Sequence, residues 1–470
     1  MADRDIALMA HLMRRAGFGA SRDELEERVA RGYEETVEEL VDPDRFGMPK
    51  VDTDVLLRYY PSLEIPGAPP NGRSEWIYHM INTKRPLEEK MALFWHQVLA
   101  TGNSKIDNPN EMTAQIKMFR EKGMGSYREL LMEVAKSPAM IYWLDNNENH
   151  KNEPNENWGR ELLELFSMGV GNYTEQDVFE ASRAFTGWTI SQRIPRLPLA
   201  RFWWSFEYHE EDHDDSEKVF LGHRGNFNGD DIIDIVVRQP ATARFVARHL
   251  YNFFVADEPQ VPAWQINPPL DPAAVNIIGD AFISSGYDMR STLRVLFNSD
   301  FFKAESIRWQ KVKSPAEVVA GIMRLVGDFQ FPRPGLQAIG EEPGYQGQEI
   351  MNPPSVEGWH TGAEWIDSGS LVRRINFAAD RLSNLDMPGV RAMVRRVREK
   401  GELAPEELVE TALDVIGPLE VSGQTREELV TMANQGGRLD WGSDEMSAQS
   451  EQRVADMLAL IAASREYQFE

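Results

Sequence analysis

Cysteine is missing from all 470 residues of this chain. Its absence excludes disulfides, thiolate nucleophiles, cysteine-ligated zinc and iron–sulfur clusters. It leaves the compartment open, since a cysteine-free chain survives in either redox environment. Basic charge is also scarce: 50 Lys and Arg stand against 75 Asp and Glu, a formal net charge of -25. Phosphate neutralisation needs a basic face, so no nucleic-acid partner is expected. No apolar run is long enough to cross a bilayer, so no membrane insertion is expected either. The opening MADRDIALMAHLMRRAGFG is broken by charge and lacks the continuous apolar stretch of a signal peptide. A cytoplasmic location is the corresponding expectation. GxSxG, Walker, dinucleotide-binding, HExxH and haem-attachment patterns do not occur, so the cofactor is left unknown.

What remains is an acidic chain rich in helix punctuation. Pro86 opens PLEEKMALFWHQVLA, Ser126 precedes YRELLMEVAK, and Asn228 and Ser314 stand before further apolar-periodic runs. Caps and 3.6-residue periodicity agree along most of the length. The expected fold is all-α: a compact multi-helix array with two long ordered loops and a C-terminal helical subdomain. The aromatic-rich RFWWSFEY segment leaves room for one small β-hairpin. Residues 1–385 form the main helical domain, with loop-rich stretches at 46–73, 189–222 and 331–368. Residues 386–470 form the acidic C-terminal subdomain.

The densest polar stretch is Asn155–Trp188, NENWGRELLELFSMGVGNYTEQDVFEASRAFTGW. Arg160, Glu161 and Glu164 share one helix, the acids at i and i+3. Such a pair, steadied by a guanidinium, could perform acid–base work. An ordinary helix-face ion pair accounts for the same spacing. Asn155, Glu156 and Asn157 add polar groups at the helix start, where free amides suit an anion and one asparagine would also cap. His96, beside Phe94 and Trp95, is a candidate base, although a lone histidine among aromatics is more often a core residue. His213 and Asp214 could form a weak metal site or a solvated acidic loop. Trp188, Trp359 and His360 border glycine-rich turns and could line a sugar-binding pocket; Trp365 fits better as a staple for the long loop. Arg374, beside Arg373, is a further candidate for an anionic group.

Several stretches together resemble the bacterial family called domain of unknown function 1800. They are HLMRRAGFG (His11–Gly19), PLEEKMALFWHQVLATG (Pro86–Gly102), SPAMIYWLDNNEN (Ser137–Asn149), the central stretch, HDDSEKVFLG (His213–Gly222), KVKSPAEVV (Lys311–Val319) and the segment ending at Ala378. The resemblance spans the first 385 residues and implies no settled activity. Relatives often stand beside a phosphatase- or sulfatase-like partner family, and many look exported, which this chain does not.

The functional expectation is a hydrolase-like enzyme acting on a polar, hydroxyl-rich small molecule or glycan. Glu161 or Glu164 would be acid or base, Arg160 and His96 would orient or stabilise charge, and Trp188 and Trp359 would line the pocket. The alternatives are a non-catalytic binding or scaffolding module for a partner protein, and a carboxylate–histidine metal protein.

Overall fold

The computed structural model describes residues 2–61, 69–192 and 204–470. Among them are 24 α-helices and two small two-stranded antiparallel sheets. Trp188–Gln192 pairs with Trp204–Tyr208, placing Trp188 opposite Tyr208 and Ile190 opposite Phe206. Lys218–Phe220 pairs with His223–Gly225. The all-α expectation therefore holds, with two small hairpins where one was expected.

The caps read from sequence at Ser126, Asn228 and Ser314 are present. Ser126 accepts the amide of Glu129 at the head of Tyr127–Lys136. Asn228 and Asp231 exchange hydrogen bonds as a capping box at the head of Gly229–Val237. Ser314 and Glu317 do the same for Pro315–Val326. We expect Ser314→Ala to cost about 1 kcal/mol in urea denaturation, because one first-turn amide loses its acceptor.

The stretches 46–73 and 331–368 are less irregular than their composition suggests. Each holds a helix, Thr53–Tyr59 in the first and Leu336–Tyr345 in the second. The first also contains the start of helix Pro69–Asn82, which packs against Leu336–Tyr345. Part of the IPGAPPNG segment falls at 62–68, outside the described residues. Gly340 and Pro343 inside Leu336–Tyr345 disguise it as a loop. Gly340 is there because the helices touch: a Cβ would lie 2.9 Å from the backbone nitrogen of Ser74.

One continuous apolar cluster runs from Ile6 to Ala462. Val390, Val397, Leu408 and Leu458 of the last 85 residues belong to it, and helix Asp444–Ala462 lies along Ser368–Leu382. Val312, Trp359 and Trp365 form a small satellite with Ile366 and Phe469, which pins the long loop as expected of Trp365.

Candidate active site

Helix Asn157–Glu164 buries Trp158, Leu162 and Leu163 and leaves Arg160, Glu161 and Glu164 half-buried. Its first amide is satisfied from outside: the Asn155 side-chain oxygen accepts the Asn157 N–H at 3.0 Å. The Asn155 N–H itself donates to Asn149 at 2.9 Å, and Asn157 donates to Asp145 at 3.4 Å.

The guanidinium does not steady the acid pair. Arg160 donates to both oxygens of Glu175, at 3.0 and 2.7 Å, and to Glu156 at 3.1 Å. Glu175, in the first turn of helix Glu175–Ala184, offers the two-pronged geometry a guanidinium prefers. Glu164 accepts the Tyr173 hydroxyl at 3.0 Å. The Glu161 carboxyl has no hydrogen-bond or ion-pair partner among the described residues. Burial and the neighbouring Glu164, with a smaller push from Glu357, raise its carboxyl to about 7 against the pull of Arg160.

Glu164 opens onto a cavity of about 440 Å³, which Glu357, Arg244, Phe245 and Trp264 also line. A narrower hollow of about 40 Å³, containing His249, Trp359 and His360, shares Glu357, Leu165, Val261 and Pro262 with it. The two form one groove, with Glu357 on the shared wall. Trp264 is held rigidly there: its indole N–H donates to Pro259 at 2.7 Å, and the Arg248 guanidinium stacks 4.4 Å over its ring. Arg248 is itself locked to the buried Glu258 at 2.7 Å. Arg244 is tied to Asp280 at 2.6 Å. The loop bearing Glu357 is clamped by Gln97, which donates to the Trp359 carbonyl at 2.5 Å, and by Gln260 on Thr361 at 2.9 Å. His249 is buried and pushed down to about 3, first by that burial and then by Arg248. Its buried Nε2 has no hydrogen-bond partner among the described residues.

The cavity wall also requires Gly169. Its φ is 77°, and a Cβ there would sit 2.8 Å from the Phe245 ring. Gly169→Ala should lower stability by about 1–2 kcal/mol in thermal unfolding and displace Phe245 into the cavity.

Other residues singled out from sequence lie elsewhere. Trp188 is buried against Phe185 and Phe206, and its N–H donates to Asn228 at 2.9 Å, so it is a core residue and not a pocket wall. His96 is buried between the rings of Trp76 and Trp359 and accepts the Met351 amide at 3.1 Å. Burial lowers it to about 3, which makes it too weakly basic to serve as the base near neutral pH. Arg374 is fully buried and donates to the carbonyls of Trp365 and Lys313, at 3.0 and 2.7 Å. His213 Nδ1 meets the Thr186 carbonyl at 2.9 Å. Burial opposes ionisation of Asp214, but Arg183 and Ser216 hold it below the usual carboxylate range. Among the described residues no group of three or more His, Asp or Glu is placed to hold a metal ion. Asn155, Glu156, Asn157, Arg160 and Glu161 are not among the groove's lining residues; Glu161 stands one turn before Glu164, which is, and near enough to Glu357 to feel its charge. Trp359 and His360 do line the groove, although His360 is exposed and bonds Glu364 at 2.9 Å.

Glu357, Trp264, Arg244 and His249 escaped the sequence reading. Glu357 stands two residues before Trp359, which was the one available hint. The other three sit in helical or proline-rich stretches with nothing to set them apart.

The fold and groove together define a helical protein with a carboxylate-rimmed, aromatic-walled cleft. The chain belongs to the family described as "Protein of unknown function (DUF1800)", whose model matches residues 11–469. The family thus extends through the C-terminal helices, beyond the 385 residues over which the resemblance was legible. No curated protein and no solved structure gives a significant match. Among the described residues no helix is long and apolar enough to cross a membrane.

Proposed function

We propose that the groove is the active site of a hydrolase acting on a hydroxyl-rich, sugar-like substrate. The observation that carries this reading is the half-buried Glu161 carboxyl, without a hydrogen-bond partner among the described residues, one turn before the groove residue Glu164 and raised to about 7 by burial and by the charges of Glu164 and Glu357. In this reading Glu161 is the general acid, protonating a leaving oxygen. Glu164, oriented by Tyr173, or Glu357 across the groove serves as the second carboxylate. Trp264 offers a flat apolar face to a sugar ring, and His249 Nε2 provides a hydrogen bond to a hydroxyl.

The test is nitrophenol release from a panel of nitrophenyl glycosides and nitrophenyl esters, by the unmodified chain and by Glu161→Gln. Turnover that survives Glu161→Gln undiminished would sink the assignment.

A second reading, a non-catalytic module that docks a partner protein, rests on Ile266 and Leu270. They are 82% and 67% exposed, next to the groove residues Gln265 and Pro269. It predicts that Ile266→Ser abolishes partner capture while the Glu161 variant leaves it intact.

Glu161 also leaves a mark on stability. Its folded-state value is raised from 4.5, so the native protein keeps a proton that the unfolded chain has lost between about 4.5 and 7. Stability is therefore greatest below that window and declines through it. Glu161→Gln removes the decline. Above pH 7 the variant should be more stable by about 1–2 kcal/mol, allowing for solvent screening of a half-buried group, and at pH 4 the difference should vanish. Urea titrations at the two pH values measure it.

A further inference from the structure

A second cavity, of about 840 Å³, lies apart from the carboxylate groove and shares no lining residue with it. Its walls mix apolar with charged side chains, and Phe18, Ile81, Ile322, Leu325, Met393 and Ile416 supply an apolar part. Its volume is in the range of small-molecule sites, roughly 300–1,000 Å³.

The polar side chains on its inner wall are unevenly satisfied. Glu317 and Glu470 line the cavity, and both are engaged by cations. Lys90, fully buried, pairs with Glu317 and lies 4.0 Å from Glu470, while buried Arg15 approaches Glu470 at 3.6 Å. Arg14 and Lys313 line the cavity too, and neither has a carboxylate within ion-pair distance among the described residues. Arg14 donates to the Gly417 carbonyl at 3.0 Å and lies 4.2 Å over the Trp309 ring, with its Nε unpartnered. Lys313 donates to the Tyr467 carbonyl at 2.7 Å and sits 4.2 Å over the Tyr467 ring. Arg374, fully buried, stands behind these two half-buried cations and, among the described residues, is hydrogen-bonded only to carbonyls. Carbonyls and ring faces compensate a buried cation only partly, and a carboxylate does so far better.

We propose that this cavity binds a small organic acid with an apolar body, its carboxylate received by Arg14 and Lys313 and its tail packed on the apolar wall. The proposal is independent of the hydrolase reading. The charge state of Lys313 agrees with it: burial, then Arg14, with a further contribution from Arg374, lowers its amine to about 7, against the pull of Glu470 and Glu317. An arriving carboxylate would raise it again, so binding at pH 8.5 should draw a proton from the buffer.

Isothermal titration of the full chain with octanoate, and with 1-octanol as the uncharged analogue, tests this. Octanoate should bind with one-to-one stoichiometry, and about tenfold or more tighter than octanol. Titrations at pH 8.5 in two buffers of different ionisation enthalpy should report proton uptake on octanoate binding only. Arg14→Met and Lys313→Met should each weaken octanoate about tenfold and leave octanol unchanged, with circular dichroism confirming the fold. Ile322→Trp, which fills the apolar end, should weaken both ligands and keeps the test open if a charge variant does not fold. Equal affinity for octanoate and octanol, or no saturable octanoate binding to folded protein, would overturn the proposal. So would unchanged octanoate affinity in both methionine variants.

Discussion

Glu317→Ala will destabilise this protein by about 3–5 kcal/mol, the largest single effect we expect. The carboxylate pairs with Lys90, whose side chain is fully buried, and also accepts the Ser314 amide at 2.6 Å. Alanine would leave the Lys90 ammonium with only the longer contact to Glu470, 4.0 Å away, in an interior too dry to solvate it. It would also break one arm of the capping box. Burial works against ionisation of Glu317, but Lys90 and Lys311 hold its carboxyl well below the usual range. The contribution is therefore complete above about pH 4.5 and is lost as pH falls through the folded-state value. The gap between variant and parent should narrow correspondingly in acid. Replacing both partners, Lys90→Met with Glu317→Met, should cost clearly less than the two single changes added together, since neither charge is then stranded. A loss below 1 kcal/mol for the single change, measured by denaturant unfolding at pH 7, would show that the pair is relaxed by solvent.

On a hydrolysable substrate, Glu161→Gln should lower kcat/KM by 10²–10⁴-fold, roughly the range that positioned general acids contribute. Glutamine keeps the shape of the side chain and removes only the transferable proton. The parent's kcat/KM should fall as pH rises above about 7, because Glu161 then loses the proton it must donate. The variant's residual activity should lack that limb. A pH profile unchanged by the substitution would assign the acid to another group. Glu164→Gln should reduce turnover and shift the alkaline limb to lower pH, because Glu161 then loses the push of the Glu164 charge, whereas Glu161→Gln abolishes the limb, and this separates the two glutamates.

The legible parts of the molecule are those governed by local chemistry. Ser126, Asn228 and Ser314 cap the helices that follow them because a hydroxyl or amide oxygen three residues from an amide satisfies it whatever the rest of the chain does. The spacing of Glu161 and Glu164 along one helix was readable for the same reason. Arg160 was misjudged because Glu175, fifteen residues on, competes for the guanidinium with better geometry than Glu164. His96 and Trp188 carried site-like residue types, yet the packing of Trp76, Trp359, Phe185 and Phe206 around them makes both interior.

Composition, capping and periodicity alone determined that this chain is an acidic, cysteine-free helical protein, and that a carboxylate pair stands on its central helix. Only tertiary structure decided what surrounds that pair. Glu357 and Trp264, 193 and 100 residues beyond Glu164, reach it through a clamped loop and a short proline-rich turn. Desolvation, which holds the proton on Glu161 and leaves Arg14 and Lys313 facing a cavity, depends on which distant segments exclude water, and no local pattern encodes that.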